Sequence, residues 1–175
     1  RVTTIWPFFK FLLKAAIEAL GIENVLAITI KSQVFTDEEI VEVRSIVKLL
    51  NARYLELKMD ILTLPQFVTN PQNRCYYCKK HIFNEIKNEA SKQGFDNIID
   101  GTNADDEGDF RPGMKALAEL KIRSPLKDCG LTKEDIRQLS KDLGLMTYDK
   151  PSLACLASRI PYYEGITEEK LIMIE

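Results

Sequence analysis

The sequence lacks several features that would assign it at once to a common functional class. No apolar run approaches the roughly 20 residues that span a bilayer. The first eleven residues are apolar and aromatic, but they show neither the charged start nor the small-residue cleavage site of a secretory signal peptide. We therefore expect a cytoplasmic protein with no membrane partner.

An excess of charge of one sign is also missing. Lys and Arg number 24 and Asp and Glu number 26, so the formal net charge is −2, and the two signs are interspersed. Because no basic surface is evident, a nucleic-acid partner is not expected. The hydrophobic share of 45% and the charged share of 29% are ordinary, and 175 residues suffice for one domain with a buried core.

Helix-like and strand-like segments alternate along the chain, which predicts an α/β fold with a parallel sheet covered on both faces. Thr36 and Glu39 form a predicted capping box, Thr132 and Thr167 are predicted helix caps, and glycines 21 and 144 are predicted helix ends. The predicted helices cover residues 11–20, 37–50, 79–92, 133–143 and those after 167, and the predicted strands cover residues 25–30, 53–59 and 97–100.

Two connections, residues 62–74 and 150–165, are longer than typical α/β loops and carry cysteines at or near an end. Loops of this length in compact domains are usually functional. Cys75 and Cys78 form a C-x-x-C motif at or just before a predicted helix start, where helix amides favour the thiolate. The motif alone leaves metal binding and a redox dithiol equally open.

Cys155, in the second long connection, adds a third thiol. Four cysteines in a chain with intracellular character argue against a disulfide framework and for metal or redox chemistry. Two neighbouring cysteines and a distant one suit an iron–sulfur cluster with three protein ligands and one open iron. Zinc with a fourth ligand such as His81 is the alternative. Cys129 is expected to be a small buried residue.

Nucleotide-binding candidates follow the strand predicted at residues 97–100. Gly101, Thr102 and Asn103 form a turn whose backbone could approach a nucleotide, and Arg111 and Arg123 are planar donors suited to phosphate. An acidic turn with solvated arginines is the simpler interpretation of the same residues.

Taken together, these stretches resemble the LarE family of sulfur transferases, and the similarity keeps its order from about Phe11 to the end of the chain. The residues that carry the resemblance are Asn73-Arg-Cys-Tyr-Tyr-Cys-Lys79, Asp100-Gly-Thr-Asn-Ala-Asp-Asp106, Phe110-Arg-Pro-Gly113, Arg123-Ser-Pro-Leu126, Gly130-Leu-Thr132, Asp149-Lys-Pro151 and Ala154-Cys-Leu-Ala-Ser-Arg-Ile-Pro161.

The resemblance implies a PP-loop ATP pyrophosphatase fold with a Rossmann-like sheet. It implies that ATP, with Mg²⁺, adenylylates a carboxylate of a nicotinic-acid-derived substrate and that sulfur then replaces the activated oxygen. By the same resemblance, Cys75, Cys78 and Cys155 match the family members that hold a [4Fe-4S] cluster. Cys155, Ser158 and Arg159 are the implied catalytic residues, and Gly101, Thr102, Asn103, Arg111 and Arg123 are the implied nucleotide-binding residues.

One departure from the family lies at the start of the chain. Family members follow their first strand with Ser-Gly-Gly-x-Asp-Ser, whose amides bind pyrophosphate, and here residues 4–9 read Thr4-Ile-Trp-Pro-Phe-Phe9. This stretch has no glycine for close backbone approach, and Pro7 lacks an N–H donor. We therefore expect weak ATP binding at most, with the aromatic residues packing as core beneath the first helix as a further interpretation.

Residues 1–160 are expected to form the PP-loop domain and residues 161–175 to begin a C-terminal region, and a homo-oligomer is expected. Two other functions remain open from the sequence. The chain could be a tRNA-thiolating PP-loop enzyme, which would also use ATP and cysteines, or a non-catalytic iron–sulfur or zinc domain that has lost its phosphate loop.

Overall fold

The computed structural model describes residues 9–106, 111–145 and 154–175, together with the backbone of residues 2–5. The strands are β1 (Val2–Ile5), β2 (Val25–Lys31), β3 (Arg53–Lys58) and β4 (Asn97–Asp100). The helices are α1 (Phe9–Leu20), α2 (Asp37–Leu49), α3 (Pro65–Val68), α4 (Arg74–Lys92), α5 (Pro112–Glu119), α6 (Pro125–Asp128), α7 (Lys133–Asp142) and α8 (Glu168–Ile174).

The four strands form one parallel sheet in the order β3-β2-β1-β4. Val2 of β1 pairs with Val25 on one side and with Asn97 on the other, so β1 is a central strand. At the outer edge of β4, Arg123 adds a single parallel bridge to Ile99. This arrangement confirms the predicted α/β class with a parallel sheet.

Helices cover both faces of the sheet, as the alternation of β2 shows. Leu26, Ile28 and Ile30 point into a core that also contains Phe83 and Ile86 of α4. Their neighbours Val25 and Ala27 point into a second core, which the helices of the opposite face complete. That second core contains Leu13 of α1, Val43 and Val47 of α2 and Ile136 of α7. Each such side chain contributes about 1.5–3 kcal/mol by leaving water.

The predicted helix ends are confirmed where capping chemistry marks them. The Thr36 hydroxyl accepts from the Glu39 amide while the Glu39 carboxylate accepts from the Thr36 amide, and Thr132 makes the same box with Asp135. Gly21 and Gly144 follow α1 and α7 with φ of 83° and 69°, a left-handed conformation that glycine adopts without strain.

Other boundaries differ from the prediction. Helix α4 begins at Arg74 and not at residue 79, so both cysteines of the C-x-x-C motif lie inside it. The connection 62–74 is also not an open loop, because it contains a short 3₁₀ helix (Ile61–Thr63) and α3. Helices α5 and α6 were not predicted, although each begins with a proline at its first turn, a recognised start signal.

Phe9 is 1% exposed and belongs to the core beneath α1, which confirms the packing interpretation for that residue. Trp6, Pro7 and Phe8 lie outside the described residues. Within the part of the chain that is described, no helix has the combination of length and apolar character that crossing a membrane requires.

Candidate functional site

The thiols of Cys75 and Cys78 lie in the first turns of α4. Residues three apart on a helix share one face, with Cβ atoms about 5–6 Å apart, so the two thiols are available to one ligand. Cys155 immediately precedes a 3₁₀ helix (Leu156–Arg159) much later in the chain. All three cysteines are half-buried and in the reduced, unpaired form.

Cys78 and Cys155 pack against the same apolar core, and the thiols influence one another's pKa values. Burial raises the pKa of the Cys78 thiol well above its ordinary value, and the nearby thiols of Cys155 and Cys75 raise it further. Burial and Cys75 likewise raise the pKa of Cys155. The cations Lys79 and Arg74 oppose part of this shift at Cys78. Three thiolates in this position need a compensating cation, which a bound metal centre would provide.

The three thiols are suitable donors for an iron–sulfur cluster, because each is free and half-buried. Ligands of one [4Fe-4S] cube are held about 6–7 Å apart and need not meet at a single atom. Among the described residues, no three His, Cys, Asp or Glu side chains form a group that could hold one metal ion. His81, the alternative zinc ligand, is half-buried one turn beyond Cys78.

Two of the predicted catalytic residues lie beside Cys155. Ser158 and Arg159 are exposed on the same 3₁₀ helix, and the Ser158 hydroxyl donates to the Cys155 carbonyl at 2.7 Å. Cys129 is exposed at the end of α6, so the expectation of a buried residue is wrong. Helix α6 is one short turn, and its last residue faces solvent.

The turn after β4 is organised by a buried carboxylate. Asp100 is 1% exposed and accepts hydrogen bonds from the hydroxyls of Thr102 and Ser124, each at 2.5 Å. Lys79 Nζ lies 4.0 Å from the same carboxylate. Gly101, Thr102 and Asn103 are all buried at this carboxyl end of the sheet, where parallel sheets bind ligands.

A second acidic centre joins the remaining candidates. The backbone N–H and side-chain amide of Asn103 both donate to Asp106, and Arg111 pairs with Asp106 at 2.9 Å. Lys133 lies 3.8 Å from the same carboxylate. Arg123 differs from Asn103 and Arg111 in its surroundings. Its backbone extends the β4 edge, and its side chain is exposed. That all five nucleotide-binding candidates line one pocket stays a prediction.

A cavity of about 520 Å³ lies at the carboxyl ends of β2 and β3, between Phe35, Met59 and Leu171. None of the residues predicted for the site lines it. Of the stretches that carry the family resemblance, Phe110 and Asp149-Lys-Pro151 lie outside the described residues.

Sequence reasoning missed Asn70, which is fully buried between α3 and α4, and the role of Asp100 as an acceptor for two hydroxyls. Asn70 has a φ of 53°, a backbone conformation in which asparagine is enriched. An asparagine just before a proline was the one available signal at that position.

Two curated proteins are similar to this chain over most of its length. The chain is 38% identical over 158 residues to the uncharacterized protein slr1717 of Synechocystis, which covers 90% of this chain and 59% of that protein. It is 33% identical over 162 residues to the pyridinium-3,5-bisthiocarboxylic acid mononucleotide synthase of Lactiplantibacillus plantarum, covering 93% of this chain and 59% of the synthase. The chain thus spans less than two thirds of these curated relatives.

No family model matches the chain. Among solved structures, the U34-tRNA thiolase NcsA of Methanococcus maripaludis, described with its [4Fe-4S] cluster, superimposes with a TM-score of 0.58. The likeness covers 98% of this chain and 64% of that one at 17% identity. At this identity the comparison concerns the fold, and it agrees with the parallel α/β architecture.

Proposed function

This chain belongs to the LarE family, whose fold is that of the PP-loop ATP pyrophosphatases, and from this membership we propose that it takes part in ATP-dependent sulfur transfer. In this proposal ATP, with Mg²⁺, adenylylates a carboxylate of a nicotinic-acid-derived substrate, and sulfur replaces the activated oxygen. The name of the L. plantarum relative, a synthase of a thiocarboxylic acid mononucleotide, supports this substrate class.

The observation that carries the proposal is a contact between the cysteine helix and the turn after β4. Lys79 follows Cys78 directly in α4, and its ammonium group reaches to 4.0 Å from Asp100 at the carboxyl end of β4. This contact supports a sulfur site close to the nucleotide-binding candidates. Sulfur transfer to an adenylylated carboxylate requires this proximity, because both reactants must be held in contact.

Each predicted residue has a place in this scheme. Cys75, Cys78 and Cys155 would hold the [4Fe-4S] cluster, which when bound would supply an iron atom open to a further sulfur ligand. Ser158 and Arg159 would orient the substrate next to Cys155. The nucleotide would lie against Gly101, Thr102 and Asn103, with the guanidinium groups of Arg111 and Arg123 as phosphate donors.

The proposed partner is a small nucleotide-like molecule and not tRNA. The fold is also that of a tRNA thiolase, but the net charge of −2, with the two signs interspersed along the sequence, does not indicate the basic surface that would hold a polyanion. We further propose a cytoplasmic homo-oligomer, with residues 1–160 as the PP-loop domain and residues 161–175 as the beginning of a further region.

The metal site is tested by purifying the chain without oxygen, reconstituting it with iron and sulfide, and measuring bound iron, sulfide and visible absorbance. We expect a brown protein with about four iron atoms and four sulfides per chain. Cys155→Ser should lose most of this cluster, whereas Cys129→Ser, which removes an exposed thiol elsewhere, should keep it. One zinc per colourless chain would reject the cluster in favour of the zinc alternative.

The nucleotide site is tested at Arg111, in a version of the chain that carries the family's phosphate-loop residues. Arg111→Ala should weaken ATP binding by about 1.5–3 kcal/mol, or roughly 10- to 150-fold, because a charge-assisted hydrogen bond is lost. The matched control is Arg137→Ala, which removes an exposed arginine from α7. Equal affinities of the two variants by titration calorimetry would reject a nucleotide role for Arg111.

A further inference from the structure

Cys155 packs against the same apolar core as Cys78 although it lies far away in the sequence, so its segment must be held near α4. The 3₁₀ helix that follows Cys155 leads directly into a loop of residues 160–165. That loop lies against the residues just before α4, and Asn70 is at the centre of the contact. Asn70 is 0% exposed and has a left-handed backbone, with φ of 53°.

The Asn70 amide group binds the loop directly. Its Nδ2 donates to the carbonyls of Pro161 at 2.7 Å and Glu164 at 2.9 Å, and a longer contact of 3.4 Å reaches Ile160. The Asn70 carbonyl accepts from the Tyr163 amide at 2.8 Å. Three hydrogen bonds from one buried residue therefore fix the loop that follows the Cys155 segment.

The other end of the same side chain is tied to the cysteine helix. Asn70 Oδ1 accepts from the Arg74 guanidinium at 2.8 Å, and Arg74 is the first residue of α4, directly before Cys75. Arg74 is 4% exposed and stacks on the ring of Tyr162 at 4.6 Å, so it contacts the loop as well. Its Nε atom has no hydrogen-bond partner among the described residues.

We propose that Asn70 and Arg74 are positioning residues that hold the loop 160–165, and with it Cys155, against the first turn of α4, so that the three thiols converge before any metal binds. The proposal rests on the proposed function only in taking these thiols as the site. Asn70 contacts carbonyl groups of the loop at one end and the α4 guanidinium at the other, which is the arrangement that such a role requires.

The convergence can be measured on the metal-free chain with dibromobimane, which becomes fluorescent when both of its arms react with neighbouring thiols. One reporter protein carries Cys75→Ser and Cys129→Ser, which leaves the pair Cys78 and Cys155. A second reporter carries Cys129→Ser and Cys155→Ser, which leaves the pair within α4. Each reporter is compared with and without Asn70→Gly, a change that keeps the left-handed backbone and removes the amide.

The matched control is Asn51→Gly, because Asn51 also has a positive φ, 50°, but is exposed at the end of α2. We expect Asn70→Gly to lower cross-linking of Cys78 to Cys155 roughly fivefold to tenfold, because a change of this size corresponds to the loss of about one net hydrogen bond. The pair within α4 should react at an unchanged rate, and Asn51→Gly should change neither reporter. Asn70→Asp, which keeps an acceptor for Arg74 but cannot donate to the loop, should behave like Asn70→Gly.

An unchanged yield for Cys78 and Cys155 in the Asn70→Gly protein would overturn the proposal. So would an equal fall in both reporters, which would indicate general destabilisation, or a parent reporter that does not cross-link at all. Reconstitution of the unmodified chain with iron and sulfide without oxygen, followed by bound iron and visible absorbance, separates this question from the proposed function. Intact cross-linking without iron uptake would count against the metal site and leave the positioning role standing.

Discussion

Asp100 shows at the scale of one residue how the candidate site is held in place. An ionised carboxylate that is 1% exposed is costly unless hydrogen bonds and a nearby cation compensate it. Thr102 and Ser124 donate to its two oxygens, and Lys79 approaches from α4. The carboxylate therefore connects three parts of the chain: the turn after β4, the start of α6 and the cysteine helix.

The contribution of this carboxylate can be measured by changing Ser124→Ala. We expect the free energy of unfolding to fall by about 1.5–3 kcal/mol, because one hydrogen bond to a buried charged group is lost. Ser45→Ala is the control, since Ser45 is exposed on α2 and its hydroxyl bonds only to the carbonyl of Val41. Urea denaturation of both variants provides the comparison, and similar losses for the two would contradict the assigned role of Asp100.

At the scale of elements, α2 and β3 are joined by a two-pronged ion pair. Arg44 of α2 donates from Nε and from a terminal nitrogen to the two oxygens of Glu56, at 2.9 and 2.8 Å. Arg44 lowers the pKa of the Glu56 carboxyl from its ordinary value of 4.5, and Glu56 raises the pKa of Arg44 in turn. The packing of α2 on the sheet is apolar, and this pair adds a polar contact at its exposed side.

The lowered pKa of Glu56 predicts how the stabilisation from this ion pair depends on pH. Because the folded pKa is below the unfolded one, the stabilisation is present above the unfolded value of 4.5 and is lost as pH falls through the folded value. Arg44→Met should therefore lower the urea midpoint at about pH 7, and this loss should shrink as the pH falls below 4.5 and through the lower folded pKa of Glu56. Lys48→Met, which removes another exposed α2 cation, is the control, and a pH-independent loss in Arg44→Met would contradict the assignment.

At the scale of the whole molecule, β1 lies at the point where the order of the strands reverses. The chain goes from β1 to β2 and β3 on one side, and then to β4 on the other. Crevices at such switch points, beyond the carboxyl ends of the strands, are where open parallel sheets bind ligands. The carboxyl end of β1 is part of this edge, and the family carries its phosphate-binding glycines directly after its first strand.

The sequence at that connection predicts that this chain, with residues 4–9 as they stand, binds ATP very weakly or not at all, so the proposed ATP-dependent reaction requires the family's phosphate-loop residues there. Its residues 4–9 provide no glycine, and Pro7 cannot donate a hydrogen bond. A version with Ser-Gly-Gly-x-Asp-Ser at residues 4–9 should gain ATP affinity in titration calorimetry. Micromolar binding by the unaltered chain, about −8 kcal/mol, would contradict this account.

The structure adds a necessary control to this experiment. Phe9 is 1% exposed in the core beneath α1, so its replacement by Ser should destabilise the fold by about 3–5 kcal/mol. A version with Phe9→Ser alone separates the loss of core packing from any gain in ATP affinity, and thermal unfolding of all three proteins shows whether they remain folded at the temperature of the titration.

The sequence by itself determined the features that depend on short stretches of chain. The capping box of Thr36, the helix cap at Thr132, the glycines after α1 and α7, and the apolar β2 strand were all predicted correctly. Hydrogen bonds within four residues and a repeating side-chain pattern decide these features, and both are visible in the sequence. The start of α4 was placed too late, because its first turn has no side-chain cap to mark it.

Tertiary structure decided what depends on contacts between distant residues. The central place of β1, the burial of Asp100 and the contact of Asn70 with the loop 160–165 each involve segments that only packing brings together. The cysteines could be named as a set from the sequence, but the packing of the loop after Cys155 on the residues before α4 is visible only in the folded chain. Such contacts follow from the burial of the whole apolar core, which no local pattern of residues records.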